Sequence, residues 1–287
     1  MKRLIVLAML LGGCGGMETS GGSLDLHLRS RAKATGEASA STVHWDPGHT
    51  AFIVCDMWDD HWCKGAARRV GELAGPMNQV LAEARKRGVF ILHAPSTCVA
   101  FYKDSPARRR AQQAPAAPSP APLSKEIRWG TAWCWPDKAR EPELPIDDSD
   151  MGCDCAAKCT IREAWSREIA TIEIDQSVDA VTDDGQETVN LLAERGIQHV
   201  VLLGVHLNMC VLGRPFAIRQ MVHQGRDVAL MRDMTDTMYN SKMKPQVNHF
   251  AGTDLVVEHI ERHWCPSFTS ADVVGGTPFK FKEDPRR

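Results

Sequence analysis

The 287-residue chain lacks any real excess of charge: 34 Lys and Arg stand against 36 Asp and Glu, a formal net charge of -2. It has no basic face of the kind nucleic-acid binders carry, so a polyanion partner is excluded as its organising theme. The run Arg108-Arg109-Arg110 is short and reads as solvated surface. Beyond residue 11 no apolar run is long enough to cross a bilayer. Internal repeats are absent too. What is present is the composition of an ordinary globular protein, 43% apolar and 24% charged, enough for a sizeable core. Ten Cys is high usage for this length.

The start of the chain reads as a targeting segment. Met1-Lys2-Arg3 is positive, residues 4–11 are apolar, and Leu11-Gly12-Gly13-Cys14 follows. These residues resemble the lipobox of bacterial lipoproteins. The resemblance implies cleavage after residue 13, a lipid on Cys14, a membrane partner through that anchor, and a place in the cell envelope. Residues 14–43, rich in Gly, Ser, Thr and Ala, are expected to form a flexible tether. Outside the cytoplasm some of the Cys should be disulfides.

From residue 44 the pattern is that of alternating strands and helices. Apolar runs at residues 50–55, 89–92, 169–174, 200–203 and 228–231 read as buried strands. Helical spacing covers residues 66–87, 184–195, about 210–223 and 246–263, and a short edge strand is expected near Phe268. Strand, helix, strand at this spacing implies a parallel sheet. The expected fold is α/β, a three-layer αβα, doubly wound parallel sheet of about six strands. The domain should run from residue 44 to 265, with an insertion at about 97–163 and a C-terminal tail at 266–287. The insertion carries many Pro and the low-complexity piece at residues 114–122.

Open α/β sheets bind ligands beyond the carboxyl ends of their strands. Asp56, His93, Asp175, Cys210 and Asp233 stand at those ends. Cys210 follows a strand that stops at Gly204 and opens a helix, where backbone N–H groups favour a thiolate. A carboxylate such as Asp56 can take the thiol proton if it lies within reach. Asp56 after its strand, with Gly204-Val205-His206-Leu207-Asn208-Met209-Cys210-Val211, resembles the isochorismatase-like cysteine hydrolases, a superfamily that includes nicotinamidases and carbamoylases. The resemblance implies a six-stranded sheet, Asp56 as general base and Cys210 as nucleophile forming a thioester. It also implies a cis peptide before His206, with the N–H groups of His206 and Cys210 holding the oxyanion. The expected activity is hydrolysis of a small amide or related C–N bond, without a cofactor, in a chain that is often oligomeric in this superfamily.

Three departures qualify that expectation. The superfamily's Lys position falls on Asp175, with Glu173 one alternation away; Lys103, Lys125 or Lys158 from the insertion are the alternatives. Metal-using members carry an Asp-x-His pair where this chain reads His93-Ala94-Pro95-Ser96. Pro215, five residues after Cys210, must delay or bend the helix there. Two other readings stay open: a lipid-anchored binding or structural domain without catalysis, and metal-dependent chemistry on rim carboxylates such as Asp56 and Asp175, with His61 nearby.

Other candidates are placed by sequence alone. Trp58, Trp62, Trp133 and Trp135 can wall a pocket for a flat substrate. His93, Asn208 and Tyr239 are candidate substrate-binding residues, and Arg214, Arg219 and Arg232 can pair with an anionic group. Cys153, Cys155 and Cys159 read first as disulfide partners; the alternative is three zinc ligands, with His61 or Cys63 as a fourth. His-Trp-Cys occurs at residues 61–63 and 263–265, which suggests a Cys63–Cys265 bridge. Cys55 should be a core thiol.

Overall fold

The computed structural model describes residues 22–128 and 130–286. The expected signal peptide, Cys14 and the first part of the expected tether lie outside those residues. Among the described residues no helix is long and apolar enough to cross a membrane.

Ten strands are described. They are β1 (Leu24–Arg31), β2 (Ala38–Trp45), β3 (Thr50–Cys55), β4 (Phe90–Ala94), β5 (Ile127–Arg128), β6 (Thr131–Ala132), β7 (Ala180–Val181), β8 (His199–Val205), β9 (Asp227–Asp236) and β10 (Ser267–Phe268). The main sheet runs β2-β1-β10-β9-β8-β3-β4-β7. The six strands from β10 to β7 are mutually parallel, as the sequence implies, and β1 with β2 adds an antiparallel hairpin at one edge. The helices are α1 (Lys64–Arg87), α2 (Pro106–Gln113), α3 (Gly185–Glu194), α4 (Cys210–Gly213), α5 (Ile218–His223), α6 (His249–His263) and α7 (Ala271–Val274).

The layers follow from side-chain alternation along the strands. Ala51 and Ile53 of β3 and Val200 and Leu202 of β8 pack with Leu191 and Leu192 of α3, Ile218 of α5 and Ile260 of α6. Phe52 and Val54, with Val201 and Leu203, face the other way onto Val70, Leu73, Met77 and Leu81 of α1. Strands covered on both faces must be apolar at every position, and β3 is buried throughout. Cys55 is one of its core residues, as expected.

Four expectations change. Residues 24–45 are not tether: Leu24, Leu26 and Leu28 alternate with exposed residues and bury against the sheet. The strand near Phe268 is not an edge, because β1 pairs with it on its outer side. The supposed tail therefore takes part in the domain, and Phe281 packs into the same core. Residues 169–174 form no strand; the Ile172 N–H closes a turn on the Ile169 carbonyl, and β7 pairs with β4 instead. The irregular insertion thus continues to residue 179, interrupted by α2 and the small β5–β6 hairpin. Its long path is pinned at Glu141, which accepts hydrogen bonds from Arg219, His259 and Trp264 at 2.7 Å each.

Candidate active site

The carboxyl ends of β3 and β8 lie side by side, with Cys55 paired to Gly204. Gly204 has φ 104°, and a Cβ there would stand 2.1 Å from the Cys55 carbonyl oxygen. Only glycine permits this approach. It brings the two chain segments that carry Asp56 and Cys210 together.

Asp56 turns sharply out of β3 with φ 48°, a left-handed conformation seldom taken by residues other than glycine. Its carboxylate is fully buried and accepts a 2.7 Å hydrogen bond from the Ser96 N–H after β4. Burial raises its proton affinity above the usual aspartate range, against the pull of Arg214, Cys210 and Ser96. Cys210 opens α4 and is 4% exposed. Burial and the Asp56 charge push its thiol up, and Arg214 works against both.

Arg214 is the buried cation beside Cys210, and Arg162 lines the cavity above it. The expected long helix is split: α4 ends at Gly213, Arg214 is extended (φ -69°, ψ 159°), and α5 begins at Ile218. The residue before a proline is disfavoured in helical conformation, so Pro215 forces that break. The Arg214 Nε lies 3.8 Å from Asp56 Oδ2, and its guanidinium lies 4.6 Å from the centre of the Trp133 ring. Asp56 Oδ2 and Arg214 Nε and Nη1 are buried without hydrogen-bond partners among the described residues. With four residues, α4 supplies little dipole to the sulfur, and the full charge near it is that of Arg214.

Asp175 is elsewhere. It is exposed and bound to Ser177, whose N–H and hydroxyl hold its carboxylate below the usual range. No pair of Asp56 with Asp175 forms, so the rim-carboxylate metal reading loses its ligands. Asp59 and Asp60 are also taken, by Ser166 and Lys64. His93 is fully buried between Glu168, 2.8 Å from Nδ1, and Asp179, 3.1 Å from Nε2. It braces the insertion and cannot meet a substrate. Tyr239 is also fully buried, its hydroxyl donating to the Met243 carbonyl. Asn208 is spent on Asp148 and on both backbone groups of Met238. Arg219 is paired with Glu141 and does not reach the site. Arg232 lines a different cavity, with Asp233.

Trp58 and His206 do line a cavity of about 630 Å³ over Cys210 and Arg214. The wall adds Trp165, which sequence reading missed: its ring stacks on Trp58 at 4.3 Å, and His61 lies against both, 5.5 Å from Trp165 and 6.0 Å from Trp58. Trp62 belongs to the same wall, whereas Trp133 backs Arg214. Burial holds His61 at about 4, and it drives His206 well below the usual imidazole range, so both rings are neutral at pH 7. His206 Nε2 has no partner among the described residues. The Val205–His206 peptide is cis. Nearby backbone bonds join the Leu207 N–H to the Asp236 carbonyl and the Met209 and Val211 N–H groups to the His206 carbonyl. The N–H groups of His206 and Cys210 have no such backbone partner among the described residues.

The course of the chain is similar to that of several solved structures. A cysteine hydrolase from Pseudomonas syringae pv. phaseolicola 1448A is 16% identical with a TM-score of 0.48, over 81% of this chain and 94% of that one. An isochorismatase family protein from Burkholderia thailandensis is 14% identical with a TM-score of 0.43, over 79% and 94%. N-carbamoylsarcosine amidase from Thermoplasma acidophilum is 12% identical with a TM-score of 0.36, over 65% and 83%. No protein-family model and no curated protein matches the sequence. At this distance the chemistry of the site rests on its own residues.

Cys153, Cys155 and Cys159 lie beside the cavity with Cys63, and His61 is not among them. Cys265 is buried in the core cluster under α6, away from Cys63, so the suggested bridge does not form. The described cysteines are all unbridged.

Proposed function

We propose that this chain is a cysteine hydrolase of the isochorismatase-like kind, acting on a small, flat amide or related C–N bond. The observation that carries it is the Cys210 thiol in the floor of an aromatic-walled cavity, flanked by a buried carboxylate and a buried guanidinium with unfilled hydrogen-bonding positions. In the proposed reaction Asp56 takes the Cys210 proton as sulfur attacks the carbonyl carbon. The new S–C bond leaves a negative oxygen, held by the N–H groups of His206 and Cys210. The C–N bond then breaks, and the amine leaves with the proton that Asp56 carried. Water, deprotonated by Asp56, attacks the thioester and returns the acid and the free thiol.

The raised proton affinity of Asp56 suits a group that must accept and return a proton. Arg214 holds negative charge as it forms on sulfur, the part that the superfamily's Lys would play. The cavity falls within the range of about 300–1,000 Å³ common for small-molecule sites. Trp58, Trp165 and His61 offer flat faces, and the free His206 Nε2 offers a polar contact.

A panel of aromatic and aliphatic carboxamides and carbamoyl compounds, read by released ammonia or amine, tests the reading. The expected result is turnover of at least one flat amide that disappears in Cys210→Ala while the far-UV spectrum is unchanged. Failure of every compound, or turnover that survives Cys210→Ala, would contradict it.

A further inference from the structure

We propose that Cys63, Cys153, Cys155 and Cys159 form a tetrathiolate zinc site that fastens the insertion to the start of α1. The sulfurs of Cys63, Cys153 and Cys155 lie within 4.8 Å of one another. Cys159 packs against the same cluster, outside that 4.8 Å group, and is the fourth thiol within reach of it. The Cys63 and Cys155 sulfurs are 3.8 Å apart. A zinc–sulfur bond of about 2.3 Å in a regular tetrahedron sets neighbouring sulfurs roughly 3.8 Å apart. A disulfide would need about 2.05 Å.

The backbone around the sulfurs is arranged for thiolates. Cys63 caps α1, and the first turn of a helix has N–H groups without partners inside it. One of those donors meets sulfur: the Gly65 N–H reaches Cys155 Sγ at 3.1 Å. Such bonds to metal-bound thiolates orient ligands and spread their charge. Two weaker polar contacts are Asp154 Oδ1, 3.9 Å from Cys63 Sγ, and the Ala157 carbonyl, 4.0 Å from Cys159 Sγ; Asp154 is itself paired with Arg69 at 2.8 Å. A tetrathiolate zinc leaves no open position, so the site is structural. Binding releases the thiol protons and leaves the cluster with two negative charges.

The cluster also sits where a fastening matters. Trp62, Met151, Ile161 and Arg162, each within three residues of a ligand, line the cavity over Cys210. The inference is independent of the proposed reaction, because metal content needs no activity assay.

The test is elemental analysis of the full chain purified without chelator, with intact mass measured under native and denaturing conditions. The expected result is one zinc per chain, lost in Cys155→Ser and Cys159→Ser and kept in Cys134→Ser. Cobalt added to chelated wild-type protein should give the intense visible and thiolate charge-transfer absorption of a tetrahedral thiolate site, which keeps the test valid if a variant does not fold. Substoichiometric zinc that ignores both variants would overturn the proposal. So would disulfides joining these cysteines in a metal-free chain, or a cobalt spectrum without thiolate bands.

Discussion

The charge beside Cys210 comes from Arg214, four residues further along the chain, just past the end of α4. Residues four apart share one face of a helix, and the extended conformation forced before Pro215 ends α4 with the Arg214 Nε 3.8 Å from Asp56 Oδ2. Cys210 and Asp56 were legible because a parallel sheet places strand-end residues at one rim. Arg214 was legible only as one of three arginines able to pair with an anionic group; its four-residue spacing from Cys210 is the signal that singles it out. His93 and Tyr239 show the opposite error. Both stand at the correct end of the sheet, but both are fully buried in hydrogen-bonded settings below the rim. If Arg214 supplies the site's positive charge, Arg214→Met should lower kcat by about 10²–10³, as loss of one charge-stabilising group does. Arg214→Lys should recover part of it. Steady-state kinetics on a substrate found in the amide panel reads this, and an unimpaired Arg214→Met would reject the role.

At the scale of elements, the long buried strands and their covering helices were legible, and the pieces that depend on distant partners were not. The segment Leu24–Arg31 has a clean alternation of Leu with polar residues, but the Gly, Ser and Thr around it made the region look like a tether. The third parallel strand is two residues long and is set by pairing with β4, not by its own composition. The insertion hangs on charged groups, His93 among them. Burial alone would lower the His93 proton affinity, but Glu168 and Asp179 outweigh it and raise it to about 9. That lies above the unfolded value of about 6.5, so protonated His93 stabilises the fold fully below pH 6.5. The contribution is lost as pH rises through 9. Urea unfolding of wild type and His93→Asn should show a stability gap that shrinks on the order of 3 kcal/mol across that window. A gap that does not change with pH would show that His93 is neutral in the folded protein.

Taken whole, the molecule is a six-stranded parallel sheet widened by a hairpin at one edge and overlaid by an insertion at its carboxyl rim. The sheet brings Asp56 and Cys210 together, and the insertion supplies Met151, Ile161, Arg162 and Trp165 to the cavity above them. The sheet was readable from apolar runs because burial on both faces demands them. The roof was not, because an irregular segment has no periodicity and takes its shape from contacts far away in sequence. The central claim, a thiol at Cys210 that forms an acyl intermediate, is open to direct measurement. Folded protein is mixed with 4-nitrophenyl acetate, quenched at intervals, digested and mapped by mass spectrometry. One acetyl group is expected on Cys210, appearing first among the cysteines and then hydrolysed, with both steps slowed in Asp56→Asn. A Cys210 that stays unmodified while other thiols are acetylated would contradict it.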